Sequence, residues 1–381
     1  MSNDGNSRLE LSPPLRWGLF AALLLILTII TVQIAPLIPR LIDFDQTFYP
    51  AARYTLAGEN PYTTSYVVVS EGNPTPDFFS PAWLLLILLP FGLLPLKIAQ
   101  AAWLLFLILT IIIALSRMQA WGFHGLRPFL LILLPWSLIS LLFGQVTPLV
   151  LLGTIWAIEL VYDGERTAVS PLPILKLAVA FLLIGLKPQL GIFIAAPLVL
   201  DMLWHRDRRL VGLAAIGLVI LGITLLVTPP WLISKAVEVQ KLTAPYWKST
   251  LERELWLWAL PSWPAQFMRL FVVGVMAYWM WLQKGASTAW WSAWLTAVLI
   301  ITPYTRAYDG VLLLPLLGQL FIFRRWYFAL FLLIVALYTQ SPLGEMGSII
   351  TPLTAWFLFI PWRGLIHGSI PALYQQQLTP P

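Results

Sequence analysis

Cysteine is absent from the 381 residues, and histidine occurs only three times. The first absence excludes disulfides and thiolate sites. Charge is also scarce, at 10% of residues, where a soluble domain carries about 25%. That shortage excludes an ordinary soluble globule. No repeat of fixed period is visible, so a solenoid or propeller array is excluded as well.

What is present is apolar. Hydrophobic residues make up 59% of the chain, and the mean hydropathy is +0.81. Thirteen apolar runs begin near Trp17, Pro81, Ile98, Phe129, Thr147, Lys176, Gln189, Leu210, Gln266, Thr288, Val311, Trp326 and Ser348. Each is roughly 15–20 residues long, the length that crosses hydrocarbon as a helix. The runs are continuously apolar, not alternating, which selects helices over a barrel. Trp17–Ile38 is too long for a signal-peptide core and is expected to be retained as a first span. The expected fold is an all-α integral membrane protein forming a single polytopic domain over 1–381. Tails cover 1–16 and 363–381, and two long loops cover 39–80 and 229–264.

Net charge is +6 with a pI near 9.5. Cations beside apolar runs are topology signals, so no nucleic-acid partner is expected. If all thirteen runs cross, Arg117, Arg206, Arg208, Arg209, Arg324 and Arg325 fall outside. Pro81–Leu96 is short and broken by Pro90, Gly92 and Pro95, so it is read as re-entrant or interfacial. About twelve crossings remain, with both termini cytoplasmic. The inner side then carries those arginines, all three histidines and the whole net charge of +6.

Four polar clusters share the outer face in this topology: Asp43-Phe44-Asp45 with Tyr49; Gly144-Gln145; Lys187-Pro188-Gln189; and Pro303-Tyr304-Thr305-Arg306-Ala307-Tyr308-Asp309. Each admits a plain reading. The two acids suit a solvated loop, Gln145 suits a helix end, Lys187 suits snorkelling to the interface, and Arg306 with Asp309 suits a structural ion pair. Together they admit a reaction. Transfer of a sugar from a lipid phosphate needs one base for the acceptor hydroxyl, which Asp43 or Asp45 supplies. The leaving phosphate needs cationic partners, which Lys187 and Arg306 supply. Gln145, Gln189, Tyr49, Tyr304, Tyr308 and Asp309 complete the candidate binding set. With the histidines inside and cysteine absent, no metal site is expected on this face.

The stretch Asp43-Phe44-Asp45-Gln46-Thr47-Phe48-Tyr49-Pro50-Ala51-Ala52-Arg53, followed by Leu56-Ala57-Gly58-Glu59-Asn60-Pro61-Tyr62, resembles the bacterial polyprenyl-phosphate-mannose-dependent mannosyltransferases. These form glycosyltransferase family 87 within the GT-C superfamily. Phe79-Ser80-Pro81, Gly144-Gln145, Leu186-Lys187-Pro188 and Tyr308-Asp309 before Leu312-Leu313-Leu314-Pro315 fall in the family's order, and the resemblance covers about Asp43–Pro315. It implies an inverting, cofactor-free hexosyltransferase at the cell membrane, with its site on the outer face. The donor would be a polyprenyl-phosphate sugar, most naturally mannose, and the acceptor a lipid or glycan. Asp43-Phe44-Asp45 also permits a divalent cation, which is not expected. The rival class is a transporter or flippase for a lipid-linked or amphipathic solute. Transporters carry ionisable residues at mid-membrane and often show repeats. Locally, Pro50–Ala57 is expected to form a short membrane-parallel helix ended by Gly58.

Overall fold

The computed structural model describes chiefly residues 29–62, 80–121, 127–163, 171–227, 288–302, 305–323 and 325–339, with isolated positions between them. The loop at 229–264, both tails, Tyr304 and Arg324 lie outside the described residues.

The architecture is all-α. Apart from short helical turns, the elements are α1 (Tyr49–Leu56), α2 (Trp83–Gly92), α3 (Leu96–Arg117), α4 (Pro135–Phe143), α5 (Thr147–Asp163), α6 (Pro171–Ile184), α7 (Pro188–Trp204), α8 (Arg209–Val227), α9 (Thr288–Ile301), α10 (Leu314–Phe323) and α11 (Arg325–Thr339). The strand content described is a two-residue antiparallel pair, Tyr66–Val67 with Pro74–Thr75. Among the described residues, α3 alone is long and apolar enough to cross a membrane, with 22 residues and a mean hydropathy of 2.6 over its most apolar 18. At 1.5 Å per residue it measures about 33 Å, matching a hydrocarbon core of about 30 Å. The consecutive helices α4 and α5 pass the same test as a pair but bend by 118° at Gly144–Val146. The others described are shorter apolar helices.

Prolines explain where helices depart from the apolar runs. The run expected from Phe129 is split: a 3₁₀ stretch covers Arg127–Leu133, and α4 starts only at Pro135. Proline lacks the N–H that would continue a helix but suits its first turn. For the same reason α6 begins at Pro171, so exposed Lys176 sits inside the helix and not at its start. The helix expected in the first loop is present as α1, with Ala57 at its C-cap and Gly58 in the left-handed conformation at φ +79°.

The re-entrant candidate appears as α2, a ten-residue helix containing Pro90. It packs on α1: Arg53 donates to the Gly92 carbonyl at 3.2 Å, and Tyr49 Oη donates to the Leu94 carbonyl at 2.9 Å. On its other side Trp83 Nε1 donates to the Leu182 carbonyl of α6 at 3.1 Å. The Gly-x-x-Pro-Tyr stretch closes the loop onto this helix, since Tyr62 Oη donates to the Ser80 carbonyl at 2.9 Å.

The interior is apolar but also encloses polar and charged side chains, and large apolar side chains face outward. Thr147, Thr154, Arg209, Asp309 and Lys187 are buried, while Leu86, Ile192, Leu218 and Trp204 are 65–85% exposed. Large apolar side chains facing outward along several helices make a surface suited to lipid. The buried charges gather at two ends. α5 links them: its first residue, Thr147, reaches Asp309, and the Leu160 carbonyl near its end accepts from Arg209. Those two positions are about 20 Å apart along the helix.

Candidate functional site

Four elements deliver the site. Asp43 precedes a π-helical turn over Phe44–Phe48, where the Tyr49 N–H bonds the Phe44 carbonyl. Such turns are uncommon and recur at functional sites. Gly144 ends α4 at φ +68°, which a side chain adopts only under strain, and the next residue is Gln145. Lys187 occupies the N-cap of α7. Arg306 occupies the N-cap of a 3₁₀ stretch, Ala307–Leu313, that contains Asp309.

The Asp309 carboxylate is fully buried and joins the starts of three helical elements. Its Oδ1 accepts from Lys187 Nζ at 2.5 Å and from Thr147 Oγ1 at 2.9 Å. Its Oδ2 accepts the Arg306 backbone N–H at 2.9 Å. The N-termini of α5, α7 and the 3₁₀ stretch therefore converge on one place. Each brings the positive end of its backbone dipole toward that carboxylate. Lys187 also lies 4.3 Å from the centre of the Tyr308 ring, which in turn rests 5.7 Å from the Phe143 ring.

Asp43 differs from Asp309 in kind. Its carboxylate is half-buried and accepts a hydrogen bond from the Gln145 side-chain amide, a neutral donor. Burial pushes its carboxyl above the ordinary value of 3.8. The Gln145 bond and the charges of Lys187 and Arg306 pull it back, while Asp309 pushes it further up. A carboxylate with a raised pKa beside two cations is suited to accepting a proton.

The structure separates the two acids that the sequence leaves equivalent. Asp45 pairs with Arg40, whereas Asp43 pairs with Gln145. Tyr49 turns its hydroxyl onto the Leu94 carbonyl, where it joins α1 to the end of α2. Gln189 lies half-buried in the first turn of α7. Asp43, Gln145, Lys187, Arg306, Tyr308 and Asp309 come together. Arg306 meets Asp309 through its backbone N–H. Two members escaped sequence reading. Thr147 looks like an ordinary helix start, and Trp103, whose indole N–H donates to the Gly144 carbonyl at 2.8 Å, looks like one more membrane tryptophan. Among the described residues, no three His, Asp or Glu side chains gather as metal ligands would. No family model, curated protein or solved structure matches this chain.

Proposed function

We propose that the chain is a multi-pass membrane hexosyltransferase of GT-C type, resembling glycosyltransferase family 87, that transfers a sugar from a polyprenyl phosphate to an acceptor hydroxyl. The observation that carries this reading is the placement of Asp43 beside Gln145 and within the field of Lys187 and Arg306, at one end of an apolar helical bundle. About twelve crossings with both termini cytoplasmic would put this end on the outer face.

In this reading the acceptor oxygen attacks the anomeric carbon as its proton passes to Asp43. The bond from that carbon to the phosphate oxygen breaks, and polyprenyl phosphate leaves with the electron pair. Attack from the face opposite the leaving group inverts the anomeric centre. Lys187, Arg306 and the converging helix N-termini would hold the phosphate as charge grows on it. Asp309 is saturated by three donors and holds Lys187 in place.

A membrane locates the rest of the donor. The exposed apolar faces of α2, α7 and α8 would lie against lipid, which delivers a polyprenyl chain laterally. Among the described residues, the buried charges Lys187, Asp207, Arg209 and Asp309 lie at or near helix starts, which favours an enzyme over a transporter. The test is to incubate purified protein in vesicles with polyprenyl-phosphate-mannose and candidate lipid acceptors. The expected result is release of polyprenyl phosphate with sugar appearing on the acceptor. Movement of intact donor across the bilayer without cleavage would support the transporter instead.

A further inference from the structure

We infer that Trp103 is a positioning residue: it clamps the chain on both sides of the Asp43–Gln145 contact and so fixes Gln145 on the carboxylate. Trp103 is fully buried on α3 and belongs to neither segment it holds. Its Nε1 donates to the Gly144 carbonyl at 2.8 Å, one residue from Gln145. Its ring stacks on Phe44, one residue from Asp43, with centroids 5.4 Å apart and planes within 19°. One side chain thus reaches the neighbour of each partner, by a directional bond on one side and a ring face on the other.

The clamp has no slack. Phe91 meets the Trp103 ring edge-on at 5.1 Å, and Phe106 lies 5.4 Å away on the same helix. At Gly144 an added Cβ would stand 2.8 Å from the Phe44 Cβ and 3.4 Å from Trp103 Cδ1. The turn carrying Gln145, the turn carrying Asp43 and the indole are therefore packed against one another. An amide donor favours the ionised carboxylate, so loosening the clamp should make Asp43 harder to ionise. The consequence for turnover rests on Asp43 being the base; the consequence for its carboxyl group does not.

The experiment follows the Asp43 carboxyl by infrared difference spectroscopy, each variant being measured against its own Asp43→Asn background. The variants are Trp103→Phe, which keeps an aromatic ring but no N–H; Gln145→Met, which removes the amide; and the double substitution. Each single substitution should raise the titration midpoint by about one pH unit, the size of one hydrogen bond to a charged group. The double substitution should raise it no further, because both act through one contact. An unshifted midpoint in Trp103→Phe, or shifts that add in full, would overturn the inference. Phe44→Leu covers the case in which Trp103→Phe fails to fold. It removes the stack and keeps the indole bond, and it should shift the midpoint in the same direction; a parental midpoint there would also overturn the clamp. In a transfer assay, the acid limb of the rate–pH profile should move with the carboxyl, with the rate recovered at high pH. A uniform loss at every pH beside the expected carboxyl shift would leave the clamp standing and overturn Asp43 as base.

Discussion

The two ends of the helical bundle bury charge in different ways. At one end, Asp207 and Arg209 close on each other. The Arg209 guanidinium donates to both Asp207 oxygens at 2.6–3.1 Å and to the carbonyls of Leu160 and Val161 at the end of α5. Asp207 also accepts the Arg209 backbone N–H at 2.9 Å, which starts α8. Buried Asp207 and Arg209 are each other's charged partner, and the cation sits where α5 exposes its last carbonyls. At the other end Asp309 is equally complete, but Asp43 receives a neutral amide and feels its cations through space. The difference teaches where to look for chemistry. A satisfied buried pair fixes packing, whereas a desolvated carboxylate without a contacting cation is poised to change its protonation.

The largest effect should come from breaking the closed end. Asp207→Ala strands a buried guanidinium and should cost about 3–5 kcal/mol of stability. Transfer per folded molecule should stay at the parent rate, measured beside a denaturation curve in the same detergent. Lys187→Met sharpens the contrast. It leaves Asp309 buried with two donors, so it should lose up to about 3 kcal/mol of stability together with donor binding. Lys187→Met with Asp309→Asn should regain the stability and not the binding, which separates the structural use of the pair from its use toward a phosphate. Gly144→Ala is next. The φ of +68° and the 2.8 Å approach to Phe44 together should cost about 1–3 kcal/mol. Thermal unfolding checks it, and transfer should fall because Gln145 moves off Asp43.

The smallest effect is one of pH. The folded Asp43 carboxyl is raised above 3.8 by burial, so the folded state holds that proton more tightly than the unfolded chain. Its stabilising contribution is full below the unfolded pKa and is lost as pH rises through the folded one. Asp43→Asn should therefore gain stability relative to the parent as pH rises from about 4 to 7, the side of the ordinary carboxyl range where this loss falls. Paired thermal midpoints across that range would show it. A gain that instead grows toward acid pH would mean the carboxyl is depressed.

Much of this was legible in the sequence because it rests on local rules. Apolar runs, proline breaks and the Gly58 stop fixed the helical class and α1. Charge scarcity made Lys187, Asp309 and Arg306 conspicuous, and they do meet. The choice between Asp43 and Asp45 was not legible. Both fit the same offset, and the distinction depends on Arg40 folding back onto one and a turn 102 residues away reaching the other. Trp103 was equally hidden among 20 tryptophans, since its role lies in contacts to two distant segments. Arg306 was read through its charge, while its backbone N–H makes the contact with Asp309.

The most direct measurement compares the two acids. Asp43→Asn and Asp45→Asn proteins, each shown to be folded and membrane-inserted, are assayed for sugar transfer from polyprenyl-phosphate-mannose beside the parent. Asp43→Asn should lose about 10²–10⁴-fold, the usual cost of removing a general base, with donor binding nearly intact. Asp45→Asn should transfer at close to the parent rate, because Asp45 is engaged by Arg40. Near-parental transfer by Asp43→Asn, or a collapse confined to Asp45→Asn, would contradict the assignment of Asp43 as the base.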